Sequence, residues 1–484
     1  MLVLPALLSL SGCSLFTTKL PADTSDSATD SVADSGGDAD TDTDADTDTD
    51  TQPACIGTGY ASAFTQWALP SGYPDGTFQA TSDTNTTDGY TWSVFDIGSG
   101  GPDIVVAADP NDSDVGTTKW LIHSNTGSRF RDGAVEWALP NGFEPATFTN
   151  FYDQGTADKV NWALMDLDGD GKLDIAVSST DAGTGGIGST RWLIYANTGA
   201  GFAPDLSNFS LPTGFPDGAL TTFQDADPND GTAWALFDLD GDGKPDLVVS
   251  DTDADSGVIG TTKWVWYHNN GTGFDAAADF DLPSGFNTDT FTHFYDWTTD
   301  DQLEWALKDM DGDGKPDIVV TTTDAGTGGI GSTRWLIYKN TGSKFASNAN
   351  WSLPSGFNVG TLTTISDQSG SDGLVWGLED VTGDKILDLV VTDTDAETTT
   401  GNLDWLVYPG SSTGFSDASE TFPLPSGQDA GLFGTLTDQS AANGFAWELY
   451  NLGQDNVSDI VVAETPKDSS VGLTYWNVAS ATCQ

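Results

Sequence analysis

The chain has 484 residues, of which 73 are acidic and only 16 basic, for a net charge of −57. A field of that sign repels phosphate backbones and anionic bilayers, which argues against nucleic acid as a partner and suits cation-rich surroundings. The 56 glycines, 24 phenylalanines and 17 tryptophans pair turn residues with large core aromatics, an all-β signature.

The first stretch, LVLPALLSLSGC, is an apolar run too short to span a bilayer, leading into Leu10-Ser11-Gly12-Cys13. It resembles a bacterial lipoprotein signal, which implies removal of residues 1–12 and lipidation of Cys13. An ordinary cleaved signal with an incidental cysteine is the competing reading. Residues 13–54 then form a linker of Asp, Thr and Ser, ending in DADTDTDTDT. It cannot bury a core and its charges push it open, so a disordered, extended tether is expected. Apart from Cys13 the only cysteines are Cys55, just after the tether, and Cys483, the penultimate residue. In an exported protein this pair is expected to form a disulfide.

Residues 55–484 consist of one unit written six times. The motif W/F-x-LP-x-G recurs at Trp67, Trp137, Phe209, Phe280, Trp351 and Phe422, placing repeats near 67–136, 137–208, 209–279, 280–350, 351–421 and 422–484. A second landmark is an aspartate, Asp83, Asp153, Asp225, Asp296, Asp367 or Asp438, nine residues before Trp92, Trp162, Trp234, Trp305, Trp376 or Trp447. A third is the strand around Trp120, Trp192, Trp264, Trp335, Trp405 and Trp476, usually leading into Asn-Thr-Gly. Each unit offers about four short strands, and four strands cannot bury both faces alone. Radial stacking into a six-bladed β-propeller solves this; a linear β-solenoid is the competing geometry. The last unit stops before its outer strand, and residues 55–66 resemble the missing piece, so joining the ends closes a ring. The recurring tryptophans are core by the simplest reading, and the six aspartates are expected to cap turns.

Four residues after each tryptophan of the second landmark comes an acidic loop: DLDGDGKLD at 166–174, DLDGDGKPD at 238–246 and DMDGDGKPD at 309–317. Aspartate at positions one, three, five and nine is calcium spacing, because a hard cation wants several oxygens at close range and alternate residues of a tight loop point the same way. The predicted ligands are Asp166, Asp168, Asp170, the Lys172 carbonyl and Asp174; Asp238, Asp240, Asp242, the Lys244 carbonyl and Asp246; and Asp309, Asp311, Asp313, the Lys315 carbonyl and Asp317. The lysine side chains are expected to face solvent. Position twelve is Val177, Val249 or Val320 rather than glutamate, and the flanks are β-forming runs such as WALM and DIAV, so the loop caps a β-hairpin and is not an EF-hand. A solvated acidic turn is the bland alternative.

The D-x-D-G-D-G-x-x-D loops followed by DIVV-like strands resemble FG-GAP or VCBS repeats, the calcium-loop blades also seen in integrin α-subunit propellers. The resemblance implies a platform fold with bound calcium and supplies no ligand. Integrin propellers have seven blades, whereas six units are counted here. A weaker fourth site is expected at Asp380, Thr382, Asp384 and Asp388, which lacks the position-six glycine. The loops beginning at Asn451 and Asp96 keep too few carboxylates to hold an ion. Departures from the repeat suggest a ligand patch at Trp266, His268, His293 and Trp297, although Trp266 filling a core position is the simpler reading. No catalytic constellation is legible among three histidines and so many carboxylates. The expected function is a lipid-anchored, extracytoplasmic binding or adhesion module for a protein or glycan ligand. A lectin is the first alternative, and an enzyme acting on polysaccharide the second.

Overall fold

The computed structural model describes residues 56–483 apart from the segments 85–87, 99, 156–159, 181–184, 226–231, 253–256, 289, 297–302, 324–328, 370–372, 395–398, 429–430 and 440–443. The leader, the tether, Cys13, Cys55 and Trp297 lie outside the described residues. Among the described residues every regular element is a strand, and none is a helix long and apolar enough to cross a membrane.

Six antiparallel sheets of four or five strands follow one another around a six-bladed propeller. The second blade shows the plan. Tyr152–Asp153 pairs with Asn161–Met165, that strand with Asp174–Ser179, then comes Arg191–Tyr195, and Ser207–Ser210 forms the far edge. Where a blade has four strands, its short first strand shrinks to a single bridge, Asp225 with Trp234, Asp367 with Trp376 or Asp438 with Trp447. The second-landmark aspartates therefore sit on one edge of every sheet. Two of these side chains cap turns: Asp153 Oδ1 accepts the N–H of Gly155 at 2.8 Å, and Asp367 Oδ1 that of Ser369 at 2.8 Å.

The W/F-x-LP strands form the opposite edges, and each buries only its aromatic, as in Thr65–Ala68 and Ser207–Ser210. Such a strand pairs with the blade begun by the preceding unit. The sequence frame, which opens each repeat on this motif, is thus offset from the blade by one strand. The offset explains the closure. Thr65–Ala68 adds to Tyr475–Ala479 with Trp67 opposite Trp476, and Gly57–Tyr60 pairs with Ala481–Cys483. The last blade is completed by the first W-x-LP strand, and residues before it add a second clasp.

The core lies between blades. Each third-landmark tryptophan is fully buried, and its indole N–H donates across the interface to the next unit's backbone at 2.8 Å: Trp120 to Phe148, Trp192 to Leu220, Trp264 to Phe291, Trp335 to Leu362 and Trp405 to Phe433. Trp476 makes the same bond to Phe78, so the sixth interface is equivalent to the other five. Burying an indole contributes about 4–6 kcal/mol of gross hydrophobic free energy. The directional N–H bond then fixes which carbonyl, and therefore which blade, the ring rests on.

Candidate metal centres

Each acidic loop joins the two middle strands of its blade, so ladder pairing on either side clamps its ends. In the first loop, Asp166 is buried and turned inward. Its Oδ1 accepts the N–H groups of Gly169 at 2.8 Å and Asp170 at 3.2 Å, and its Oδ2 that of Gly171 at 2.8 Å. This wrapping needs positive φ at positions four and six, met by Gly169 at 77° and Gly171 at 82°. Asp238 and Asp309 repeat the pattern. Carboxylate oxygens of Asp166, Asp168 and Asp170 lie within 4.8 Å of one another, as do those of Asp238, Asp240 and Asp246, and of Asp309, Asp311 and Asp317.

Two observations test whether this donor set fits a cation. Among the described residues, Asp174 Oδ2 and Asp311 Oδ1 are buried and meet no hydrogen-bond donor, a costly arrangement unless something positive completes it. Burial, with neighbouring carboxylates adding to it, also pushes the proton affinity of the position-nine aspartates far up: Asp174 to about 8, Asp246 to about 7 and Asp317 to about 8. Asp166, Asp238 and Asp309 are raised for the same leading reason. Several desolvated carboxylates that resist ionising together, with oxygens left over, suit a hard divalent cation. Acidic clusters able to hold metal are therefore present in all three full loops.

The lysines differ from expectation. Their backbone N–H groups bond back to position five, as Lys172 does to Asp170 Oδ1 at 2.9 Å. Their ammonium groups also turn onto that same carboxylate: Lys172 to Asp170 at 2.6 Å, Lys244 to Asp242 at 2.6 Å and Lys315 to Asp313 at 3.0 Å. Acidic neighbours attract the nearest positive charge, so these heads do not simply point to water. The stems of Lys172, Lys244 and Lys315 lie over Gly98, Gly169 and Gly241 of the preceding loop, where a Cβ would approach within 3.0, 2.8 and 2.9 Å. Adjacent loops therefore touch around the ring.

A second link between loops runs through the Asn-Thr-Gly turns and their Asn-Asn-Gly counterpart at Asn269, whose role the sequence left unassigned. Position-nine Asp174 accepts the N–H of Asn197 at 2.7 Å, and the Asn197 amide reaches back to the Ile97 carbonyl of the previous loop at 2.6 Å. Asn269 joins Asp246 to Leu167, and Asn340 joins Asp317 to Leu239. The loops of the fifth, sixth and first units keep the closing aspartate as an anchor: Asp388 accepts Gly410 N–H, Asp459 accepts Ala481 N–H and, in the shorter first loop, Asp103 accepts Asn125 N–H. The closing aspartate therefore has a structural task even where other carboxylates are missing, which is why it persists in all six units.

The degenerate loops retain the wrapped conformation. Asp380 accepts N–H bonds from Gly383, Asp384 and Lys385, with Thr382 buried at position three and Asp388 raised by burial to about 7. Lys385 holds φ of 72° in place of the position-six glycine, and in the next loop Gln454 and Asn456 hold 60° and 70°. Asp96 caps its shorter loop through Gly98 N–H at 2.7 Å. Loop shape is thus specified by position one and the ladder, independently of a full ligand set.

Of the four residues of the ligand patch expected from sequence, Trp297 lies outside the described residues, while Trp266 and His268 are in contact. Trp266 packs edge-on against Phe280 at 5.9 Å and joins a core cluster, and His268 meets it edge-on at 5.7 Å. His268 turns to the second acidic loop, with Nε2 at 3.3 Å from both Asp240 and Asp242 and Nδ1 at 3.3 Å from Asp275. His293 follows Phe291, the residue bonded to Trp264, and so lies by the other end of the Lys263–Tyr267 strand. His123, the third histidine, is buried between the Tyr73 hydroxyl and the Arg131 carbonyl, and burial lowers its proton affinity. A separate cleft of about 540 Å³ opens between the second and third units, lined in part by Ala146, Tyr152, Asp153, Gln154, Thr222 and Gln224. Ala146 there holds φ of 69°, where Gly76, Gly218, Gly360 and Gly431 serve other units.

Residues 166–249, which contain the first two full loops, match the FG-GAP-like repeat. No curated protein sequence matches the chain. Among solved structures, the Tc holotoxin pore of Photorhabdus luminescens is similar at 13% identity and a TM-score of 0.47. That match covers 88% of this chain and 15% of the toxin chain, so the present chain spans only a small part of that protein's length. A lectin of Agrocybe aegerita that recognises non-reducing terminal N-acetylglucosamine is similar at 15% identity, with 84% and 86% of the two chains covered and a TM-score of 0.41. An alpha-L-arabinanase of Penicillium chrysogenum is similar at 12% identity, with 87% and 97% covered and a TM-score of 0.31.

Proposed function

We propose that this six-bladed propeller with FG-GAP-like repeats is a calcium-stabilised binding or adhesion module, displayed outside the cytoplasm on a lipid attached to Cys13 and the tether of residues 13–54. The reading is carried by the clustered carboxylates of the three full loops, with a buried oxygen lacking a donor in the first and third, Asp174 Oδ2 and Asp311 Oδ1. An all-oxygen set on a small flexible loop favours calcium over magnesium, which dehydrates reluctantly and demands stricter geometry. Because the same site recurs at equivalent places, and adjacent loops touch, the ions act as staples and the chemistry of the module is recognition, not turnover. The Cys55–Cys483 bond belongs to the same proposal. Its support is that Cys483 stands opposite Gly57, two residues from Cys55.

The test is calorimetric titration of metal-stripped protein with calcium, together with thermal melting in chelator. Uptake of about three ions and a higher melting temperature are expected; no uptake and no shift would overturn the calcium assignment. For the anchor, Cys13→Ala should move the protein from the membrane fraction to the soluble exported fraction. A glycan ligand is the second reading, favoured by the cleft that sets the Tyr152 ring beside Asp153 and the amides of Gln154 and Gln224. Glycan-array binding lost in a folded Tyr152→Ala variant would support it. Turnover on a polysaccharide panel, abolished by a single Asp→Ala change outside the loops, would replace both readings with an enzyme.

A further inference from the structure

The three full loops share one ligand pattern yet differ in what faces it. The residue that follows the Trp-containing strand is Ser124, Ala196, His268, Lys339, Pro409 and Ser480 in the six units, and position three of the corresponding loop is Gly98, Asp168, Asp240, Asp311, Thr382 and Gly453. A basic side chain thus occurs at this place only where position three is aspartate. In both cases it reaches that aspartate. Lys339 Nζ lies 2.7 Å from Asp311 Oδ2 and also donates to the Ser412 carbonyl of the next unit at 3.4 Å, while His268 Nε2 lies 3.3 Å from Asp240 Oδ2. In the first loop the corresponding residue is Ala196, which carries no charge, and Asp168 Oδ1 accepts only the N–H of Asp170 among the described bonds.

We propose that Lys339 is a built-in counter-ion of the third loop, which neutralises Asp311 when no metal is bound and competes with the metal for the same carboxylate. This inference rests on the calcium reading of the loops and adds that the three sites are unequal. All three loops carry the position-seven lysine on position five; the loop of 166–174, which has no further cation on its position-three aspartate, binds most tightly, and the loop of 309–317 most weakly. An ammonium at 2.7 Å uses one oxygen of position three and leaves Asp311 Oδ1, the orphaned one, as the remaining free acceptor. To coordinate fully, an incoming divalent ion must displace Lys339, whose second hold on Ser412 keeps it in place. The loop therefore keeps its shape across calcium concentrations at which the first loop has already filled. The arrangement also ties the loop to the next unit in the metal-free state.

The experiment compares wild-type protein, Lys339→Met and Ala196→Lys, each full length, by calcium calorimetry and by melting in chelator and in saturating calcium. Methionine keeps the apolar stem without the charge. Lys339→Met is expected to tighten one of the sites by about tenfold, and Ala196→Lys to weaken one by a similar factor, since each change removes or adds one charge-assisted contact. The melting data carry a sign reversal that loss of packing does not produce: Lys339→Met melts below wild type in chelator and at or above it in saturating calcium. If Lys339→Met melts lower in both conditions with unchanged affinities, this inference falls while the calcium reading stands. If wild-type protein takes up no calcium at all, both fall together.

Discussion

Replacing Asp174 by asparagine separates the two tasks of a position-nine aspartate. Its Oδ1 holds the N–H of Asn197, which an amide oxygen can still do, while its Oδ2 is the buried oxygen without a donor. At 1% exposure, burial raises the carboxyl from 3.8 to about 8. A folded-state value above the unfolded one gives stability that is complete below the ordinary carboxylate range and is lost as pH rises through about 8. In metal-free protein at alkaline pH the charge therefore costs at most about 6 kcal/mol. Loop relaxation and the new amide N–H group reduce the net relief to about 2 kcal/mol, a few degrees in melting temperature for a fold of this size. Asp174→Asn should thus melt higher than wild type in chelator at about pH 8 and converge with it by about pH 4. In saturating calcium the order should invert, because the variant has lost a charged ligand. Scanning calorimetry across that pH range with and without calcium reads all four corners. A variant less stable than wild type in chelator at about pH 8 would refute the argument that this carboxylate is held in place for a cation.

Three further outcomes follow from the same contacts. Asn269→Ala removes the amide that joins the Pro245 and Leu167 carbonyls and the oxygen that accepts Gly271 N–H, so urea unfolding should show a loss of about 1–3 kcal/mol whether or not calcium is present. Lys385→Gly relieves a left-handed residue at position six and should raise stability by up to about 1 kcal/mol; a decrease would mean that the Lys385 side chain contributes more than its backbone strain costs. Reductant should speed hydrogen exchange first in Gly57–Tyr60 and Ala481–Cys483, with the other blades unchanged; uniform exchange before and after would count against a disulfide at the seam.

The fold was legible because its determinants are local and repeated. Tryptophan at fixed spacing, strands of apolar residues and Asp-Gly turns each act within one unit, and six copies averaged out the exceptions. The phase of the repeat was not legible. A periodic sequence has no natural starting point, and an edge strand with one buried aromatic, such as Thr65–Ala68, looks the same whichever neighbour it pairs with. Only the hydrogen-bond register of Trp67 opposite Trp476 assigns it to the preceding blade. At the metal loops, the ligand pattern was visible in nine consecutive residues, whereas its partners were not. Asn197 lies 23 residues from Asp174 and Lys339 lies 28 from Asp311, each brought back by the hairpin that follows the loop.

That hairpin return also explains where the odd residue His268 goes. His268 stood out as rare, and rarity suggested a ligand patch shared with His293 and Trp297. The strand Lys263–Tyr267 instead delivers it to the acidic loop of its own blade, where three carboxylates surround it. The informative comparison was between units rather than along the chain. Aligning the residue after each strand with position three of each loop pairs His268 with Asp240 and Lys339 with Asp311, and neutral residues with Gly98, Thr382 and Gly453, while Asp168 faces the neutral Ala196. In a repeat protein the copies serve as an internal record of which side chains answer one another, because every unit places equivalent residues in equivalent surroundings. A basic residue that appears only opposite a carboxylate is therefore evidence of contact available before any coordinates, and it marks the loops as electrostatically tuned one by one.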